Sequence, residues 1–496
     1  MNAHIDWHAR AGELRFATQT FIGGRYVATQ SEKVFAKTSP IDGRHLADVA
    51  FCDVADVDRA VASARAAFES KVWSGMAPAK RKGVLLRAAD LIDAAGAELA
   101  LIETLDMGKP ISDSVNVDVP GTSRILRWFA EAVDKIYDEI APTGRDSLAM
   151  ITREPVGVVG AVVPWNFPMI MAMWKLAPAL AAGNSVVLKP AEQSPLSAMR
   201  LAALFSEAGL PDGVLNVVPG DGPTTGRAIG LHGDVDAVGF TGSTEIGKLF
   251  LQYSGQSNMK RVWLECGGKS PIIIMRDCKD LDAAAQIAAG AIFFNQGEMC
   301  TAGSRLLLDA PIRDEVLKRV CELASTREIG DPLDASTQIG ALVEEKHMRR
   351  VLDYIEIGKQ DGAELAYGGA QVRVESGGYF VQPTVFGNVT SNMRIAQEEI
   401  FGPVLSVIDF SGLDDAIKIA NSTIYGLGSA IFTQDINAAM HASRELRAGL
   451  VYVNCYDADD STVPFGGVGQ SGNGRDKSLH AFDKYTELKT TWIALS

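Results

Sequence analysis

The stretch VGVVGAVVPWNFP, residues 156–168, decides the fold. Its first eight residues carry no polar side chain, and a proline then ends the run. A strand with one face in water alternates apolar and polar residues, whereas a continuous apolar run marks a strand covered on both faces. Working outward, similar runs recur at 185–188, 214–218, 237–240, 262–264 and 272–274, separated by turns and helical stretches. This order predicts a parallel α/β sheet spanning residues 156 to about 274. Ser194 with Pro195 reads as an N-cap and first helical residue, and Gly209 as a helix-ending glycine. Upstream, residues 54–69, 79–106 and 120–137 are predicted to form amphipathic helices that cover the sheet. Downstream, strands near 306–308, 404–410, 430–433 and 451–454 alternate with helices starting at Pro311, Asp414 and Asn437, which makes a second α/β unit.

A chain of 496 residues exceeds the usual size of one hydrophobic core, so two or three domains are expected. With 47% hydrophobic and 22% charged residues the composition is that of a globular protein. A net charge of −14 argues against nucleic acid or a membrane surface as partner, while leaving room for a local phosphate pocket. The opening MNAHIDWHAR lacks the apolar core of a secretion signal, and the apolar stretches 168–183 and 283–297 are interrupted by Lys175 or too short to span a bilayer. Six scattered cysteines (Cys52, Cys266, Cys278, Cys300, Cys321, Cys455) fit reduced thiols, and a cytoplasmic location is expected. With no CxxC or HExxH pair, no metal site is expected.

Three glycine-containing segments compete for a phosphate-binding role. GVGQSG, residues 467–472, matches GxGxxG, but PFGG precedes it and NGRDKS follows, so the strand-to-helix context of a dinucleotide fingerprint is missing. GDGPTTG, 220–226, follows an apolar run with its glycines spaced one residue too far apart. In FTGSTEIG, 240–247, Gly242 opens a turn and Ser243 can cap a helix. Such a junction aims free N–H groups at an anion, yet plain capping explains the serine equally well. Cys300, in FFNQGEMCTAGSR (293–305), follows a helical run that ends at a glycine; alone it reads most simply as an inert buried thiol.

Taken together and in order, PWNFP, LKPAEQSP, FTGSTEIG, VWLECGGKSP, FFNQGEMCTAGSR, EEIFGPV and PFGGVGQSGNGRD resemble the conserved segments of the aldehyde dehydrogenase superfamily. The likeness runs from about residue 21 to the C-terminus. Within the superfamily, SNMKRVWLE (257–265), IETLDMGKPI (102–111) and QSGNGRDKSLHAFDKYTELKTTWI (470–493) are similar to dehydrogenases of bacterial polyamine breakdown, which oxidise γ-glutamyl-γ-aminobutyraldehyde and ω-aminoaldehydes.

The resemblance implies NAD(P)-dependent oxidation of an aldehyde to a carboxylic acid through a thiohemiacetal and thioester on Cys300. A thiolate both adds readily and leaves later, and it needs a nearby helix dipole or cation to be favoured. Asn166 and the backbone N–H of Cys300 would hold the developing oxyanion. Glu265 would activate water, its pKa raised by apolar neighbours. Trp165, Lys189, Glu192, Gly242, Ser243, Glu399 and Phe401 would bind the cofactor. Glu192 on the ribose favours NAD, while the flexible Lys189 keeps NADP open. Phe167, Trp174, Phe294, Met299, Thr301, Asp457, Asp459 and Phe465 would line the substrate tunnel.

Two departures from the family pattern stand out. Asp459 occupies a place where many relatives carry an aromatic residue, so Asp457, Asp459 and Asp460 put three carboxylates near the tunnel mouth; a solvated acidic loop is the alternative. Cys266 replaces a common leucine and is expected to act as a small hydrophobe.

The implied fold has a Rossmann-like cofactor domain (1–133 and 153–265), a catalytic α/β domain (266–474) and a small β-rich oligomerisation arm (134–152 and 475–496), assembled as a homodimer or homotetramer. An aldehyde dehydrogenase for neutral or aromatic aldehydes is the main alternative. A CoA-acylating enzyme would not need Glu265, and a structural protein on this scaffold would not need Cys300, Glu265 and Asn166 together. A hydrolase lacks its GxSxG elbow.

Overall fold

The computed structural model describes residues 5–495. Two seven-stranded sheets organise the chain. The first runs in the order Arg261–Glu265, Ala237–Thr241, Val158–Val162, Ser185–Lys189, Leu215–Val217, Thr20–Ile22, Arg25–Val27. Its first five strands are parallel, and the last two form an antiparallel hairpin on the edge. Gly23 and Gly24, at φ 62° and 80°, close that hairpin with the left-handed turn that a two-residue connection prefers.

Contrary to the expectation from the sequence pattern, the run at 272–274 does not join this sheet. Pro271–Ile274 instead lies in the second sheet, between Arg305–Asp309 and Gly428–Phe432. GGKS, 267–270, carries the chain from one sheet to the other. An apolar run reports burial on both faces, but not which sheet provides the neighbours. The remaining second-sheet strands are Val404–Phe410, Thr384–Gly387, Glu364–Tyr367 and Leu450–Val453.

Helix Val54–Glu69 has the predicted bounds and a capping box at Asp53 and Asp56. The predicted helix 79–106 is two, Pro78–Ala94 and Gly96–Met107, bent where Gly96 faces the Val119 side chain at a distance only a glycine leaves comfortable. Ser194 does not cap the next helix, Leu196–Glu207. Asp106 reaches across from Gly96–Met107 to accept the Leu196 N–H at 2.7 Å, freeing the Ser194 hydroxyl to donate to the Trp165 carbonyl at 3.0 Å. Gly209 ends that helix at φ 95°, as read from the sequence. Helix Glu345–Gln360, at the edge of the second sheet, escaped the sequence reading.

A third sheet pairs Thr486–Ala494 with Ser147–Pro155 along nine residues, with Glu139–Ala141 beyond. Among the described residues, no helix is long and apolar enough to cross a membrane and no cluster of His, Cys, Asp or Glu is suited to hold a metal.

Candidate active site

Parallel register gathers the site. Val162 lies opposite both Lys189 and Phe240, and Thr241 opposite Glu265, so four neighbouring strands end along one line. Ligands of open α/β sheets bind at such carboxyl ends. PWNFP, Lys189, Gly242 with Ser243, and Glu265 all sit there. Ser243 accepts the Ile246 N–H at 3.3 Å, capping helix Thr244–Gln256 at an exposed N-terminus. Lys189 is buried and reaches the half-exposed Glu192 at 3.2 Å. Burial lowers the Lys189 pKa. GVGQSG forms a loop beside Glu265, with Gly472 bridging to it, and no dinucleotide turn.

Across the cleft, Glu399 accepts the Gly268 N–H at 3.0 Å. A Cβ on Gly267 would lie 2.0 Å from Glu399 Oε2, so glycine is what lets this carboxylate sit against the segment after Glu265. Burial raises Glu399 to about 7. Phe401, held at φ 63°, packs edge-on to Trp165 at 5.2 Å. His347 closes the group, its ring 5.1 Å from Trp165 and its Nε2–H donating to the Phe401 carbonyl at 2.7 Å. Burial lowers the His347 pKa to about 4, so the ring is neutral. An exposed helix N-terminus, a lysine paired with a partly exposed carboxylate, and a second carboxylate near aromatic edges together fit a dinucleotide.

The cysteine segment is strained. Helix Leu281–Phe293 ends before the predicted glycine, and Asn295, Gln296 and Gly297 then take left-handed backbone at φ 48°, 58° and 73°. Left-handed non-glycine residues persist only where surroundings hold them. Here Asn295 Nδ2 donates to the carbonyls of Asn166 and Glu298, and Gln296 Oε1 accepts the Gly340 N–H. Gly297 crosses Gly402 so closely that a Cβ would meet its carbonyl oxygen at 2.3 Å. Buried Asn166 donates one amide hydrogen to the Glu298 carbonyl at 2.8 Å, which locks its orientation and leaves the other hydrogen available.

On balance the surroundings of Cys300 disfavour the thiolate its role implies, although it lies close enough to the buried Lys477 to favour that residue's charge. Burial pushes the thiol well up, and Glu399, Asp457 and Glu265 push it further. Cys266 is buried at 4% exposure, its sulfur against Gly247, and burial pushes it up to about 12, in keeping with a small hydrophobe.

Glu265 is 3% exposed, and neither carboxylate oxygen has a hydrogen-bond partner. Burial raises its pKa well above the ordinary range. Asp476 adds to the rise, whereas Lys175, Lys484 and Arg475 oppose it. Asp476 pairs with Lys175 through Oδ2 and with Lys484 through Oδ1, all three buried. Burial alone would raise Asp476, but the two lysines hold its carboxyl below the ordinary range. Sequence reasoning missed this network, although the charge of Lys175 amid the apolar helix Pro168–Ala182 was its signal.

Phe167 and Phe294 stack at 6.3 Å, Trp174 and Phe465 meet at 4.6 Å, and Cys300 and Phe167 both pack against the core that holds Trp174 and Phe465. Met299 turns the other way, lining a small cavity with Ile292, Ala302 and Glu399; one step along a turn reverses the side-chain direction. Thr301 Oγ1 donates to Asp457 at 3.2 Å. Asp459 is not a free carboxylate: it pairs with the buried Lys477 and lies 3.9 Å from Arg124. Lys477, also missed, sits 4.7 Å from the Trp174 ring and 5.1 Å from the Phe465 ring. Asp460 accepts the Thr462 N–H at 2.8 Å within its own loop.

The Cys300 thiol, an oriented amide, an unpaired carboxylate and a helix N-terminus at the strand ends fit one class: nicotinamide-dependent dehydrogenases that work through a covalent cysteine adduct. The aldehyde dehydrogenase family model matches residues 26–491. The chain is 51% identical to the NADP/NAD-dependent aldehyde dehydrogenase PuuC of Escherichia coli (strain K12), covering 100% of both chains. Among solved structures, an indole-3-acetaldehyde dehydrogenase complexed with NAD+ matches with a TM-score of 0.98 and 59% identity over 99% of each chain. The γ-glutamyl-γ-aminobutyraldehyde dehydrogenase of Burkholderia cenocepacia J2315 matches with a TM-score of 0.97 and 55% identity, again over 99% of each. The chain belongs to the aldehyde dehydrogenase family, with the fold and the NAD(P)-dependent aldehyde oxidation that its motifs imply.

Proposed function

We propose that the protein oxidises ω-aminoaldehydes or γ-glutamyl-γ-aminobutyraldehyde to carboxylic acids. Cys300 first gives up its thiol proton to solvent; Sγ, as the thiolate, then adds to the aldehyde carbon, and the oxyanion accepts hydrogen bonds from the free Asn166 amide hydrogen and the Cys300 N–H. Bound NAD(P) supplies the hydride acceptor. The resulting thioester on Cys300 is attacked by water whose proton goes to Glu265, releasing acid and restoring the thiolate. The observation that carries the hydrolytic step is Glu265: a buried carboxylate with no protein partner for either oxygen is costly to maintain, and a base for water is what such an arrangement serves. The aminoaldehyde substrate is supported by the relatives.

Lys189, Glu192, Gly242 and Ser243 would hold the adenosine and pyrophosphate, with Glu399, Phe401 and Trp165 at the nicotinamide end. Glu192, half-exposed beside Lys189, supports NAD over NADP, since a 2′-phosphate would face its charge. Phe167, Trp174, Phe294, Thr301, Phe465 and the 457–459 loop would form the tunnel. We assign residues 1–133 and 153–265 to cofactor binding, 266–474 to catalysis, and 134–152 with 475–496 to a dimer or tetramer contact in a cytoplasmic enzyme. Within 475–496 the strand Thr486–Ala494 is the part left to make that contact, since Asp476, Lys477 and Lys484 are buried within the chain. Tyr137, Ile140, Leu488 and Trp492, each more than 60% exposed on or next to the third sheet, support that contact.

The aromatic walls Trp174 and Phe465 favour a second reading, an arylacetaldehyde, in line with the indole-3-acetaldehyde dehydrogenase at 59% identity. Steady-state kcat/KM over neutral, acidic, aromatic and amino aldehydes, with each cofactor, separates the two. A higher value for indole-3-acetaldehyde than for every amino aldehyde would overturn the first.

A further inference from the structure

We propose that Lys477 is a specificity-determining residue, and that the tunnel mouth is built for an aldehyde whose far end carries a carboxylate beside an ammonium group. The proposal rests on the aldehyde-oxidising reading of Cys300, and it revises the notion of a purely acidic mouth.

Lys477 is 3% exposed, although it lies near the C-terminus in a polar run, GRDKS. A lysine so placed would ordinarily stretch into water. Two features turn it inward. Lys477 and Ser478 both adopt left-handed backbone, at φ 59° and 50°, and the Ser478 N–H donates to the Ser461 carbonyl at 2.9 Å, tying this turn to the Asp457–Asp460 loop. The ammonium then lies over the faces of Trp174 and Phe465, where cation–π attraction helps offset its lost hydration.

Among the described residues Asp459 is the only ion-pair partner of Lys477, and an ammonium has three hydrogens to donate. The mouth is therefore an alternating row: Asp457 held by Thr301, Lys477, Asp459, and Arg124 at 3.9 Å from Asp459. A row of carboxylates alone would select a bare ammonium, and a row of cations a bare carboxylate. An alternating row is close to neutral and offers both kinds of partner side by side. A zwitterionic end matches it, its carboxylate accepting from Lys477 and Arg124 and its ammonium donating to Asp457 or Asp459. A neutral aldehyde gains only the aromatic walls.

The test is kcat/KM at saturating NAD for four aldehydes of matched length ending in a methyl, an ammonium, a carboxylate, or an α-amino acid group. In Lys477→Met, the two carboxylate-bearing substrates should fall about tenfold relative to the methyl one, chiefly through KM, the size of one charge-assisted hydrogen bond. The ammonium substrate should rise about threefold on the same scale. Lys477→Arg should keep the wild-type ratios within about threefold. Arg124→Leu, on an exposed side chain, serves as a second variant should Lys477→Met fail to fold, and should lower the carboxylate-bearing substrates by about threefold. Equal losses on all four aldehydes, or unchanged ratios in both variants, would overturn the proposal. If the wild type prefers the methyl substrate yet the ratios shift as stated, Lys477 keeps its role and the aminoaldehyde reading fails.

Discussion

The proposed catalytic pocket and the proposed tunnel mouth treat charge differently. Inside, Glu265 is buried with both oxygens unsatisfied and the chain before Cys300 is bent through left-handed residues. At the mouth, the charges of Asp457, Lys477 and Asp459 are each met by a partner. The difference separates two tasks. Bond-making needs groups whose protonation state is unsettled, which the low dielectric of the interior provides. Discrimination needs charges that have partners, and pairing limits without abolishing the effect of burial, which lowers the Lys477 pKa to about 8 and raises that of Asp457.

The largest effect should come from the inner pocket. Cys300→Ala is expected to leave under about 1% of aldehyde oxidation while NAD binding, followed by fluorescence quenching, stays near normal. Retained activity would remove the contrast altogether. Glu265→Gln should slow steady-state turnover by roughly 10²–10⁴-fold but spare thioester formation, so rapid mixing should give a burst of reduced cofactor followed by a slow phase. Burst and steady state slowed alike would assign Glu265 another role.

The pH profile sharpens the same comparison. A base works only when deprotonated, so a raised Glu265 pKa places the acid limb of kcat above the ordinary carboxylate range, with activity rising as pH rises. Lys484 lowers the Glu265 pKa. Lys484→Met should therefore move that limb to higher pH, while Lys175 still partners Asp476. A limb that stays still would mean that Glu265 is not the group being titrated.

The mouth should give the smallest effects. Asp459→Asn removes one carboxylate and unpairs Lys477, so ω-ammonium aldehydes should lose about three- to tenfold in kcat/KM, ~0.5–1.5 kcal/mol, while a neutral aldehyde of equal length barely changes. Added salt should shrink the difference. Equal losses on both substrates would return the loop to a solvated surface.

By itself the sequence marked most strands and many helices, though not helix Glu345–Gln360, and its family resemblance pointed to the chemistry. Continuous apolar runs mark strands buried on both faces, and residues such as Ser243 and Gly209 punctuate helices through local backbone preferences that act over three or four residues. The motifs around Asn166, Glu265 and Cys300 were legible through their resemblance to the family, because each is a short contiguous segment at a strand end or turn. What only the tertiary structure decided lies between segments distant in the chain. It allotted Pro271–Ile274 to the second sheet and replaced Ser194 with Asp106 as the cap of Leu196–Glu207. It turned Met299 away from the aromatic tunnel wall, and it brought Lys477 beside Asp459 and Lys175 beside Asp476. The last pair joins residues 301 positions apart. Apolar patterning shows that a residue is buried, but a buried charge is stable only through its partner, and that partner is chosen by the fold.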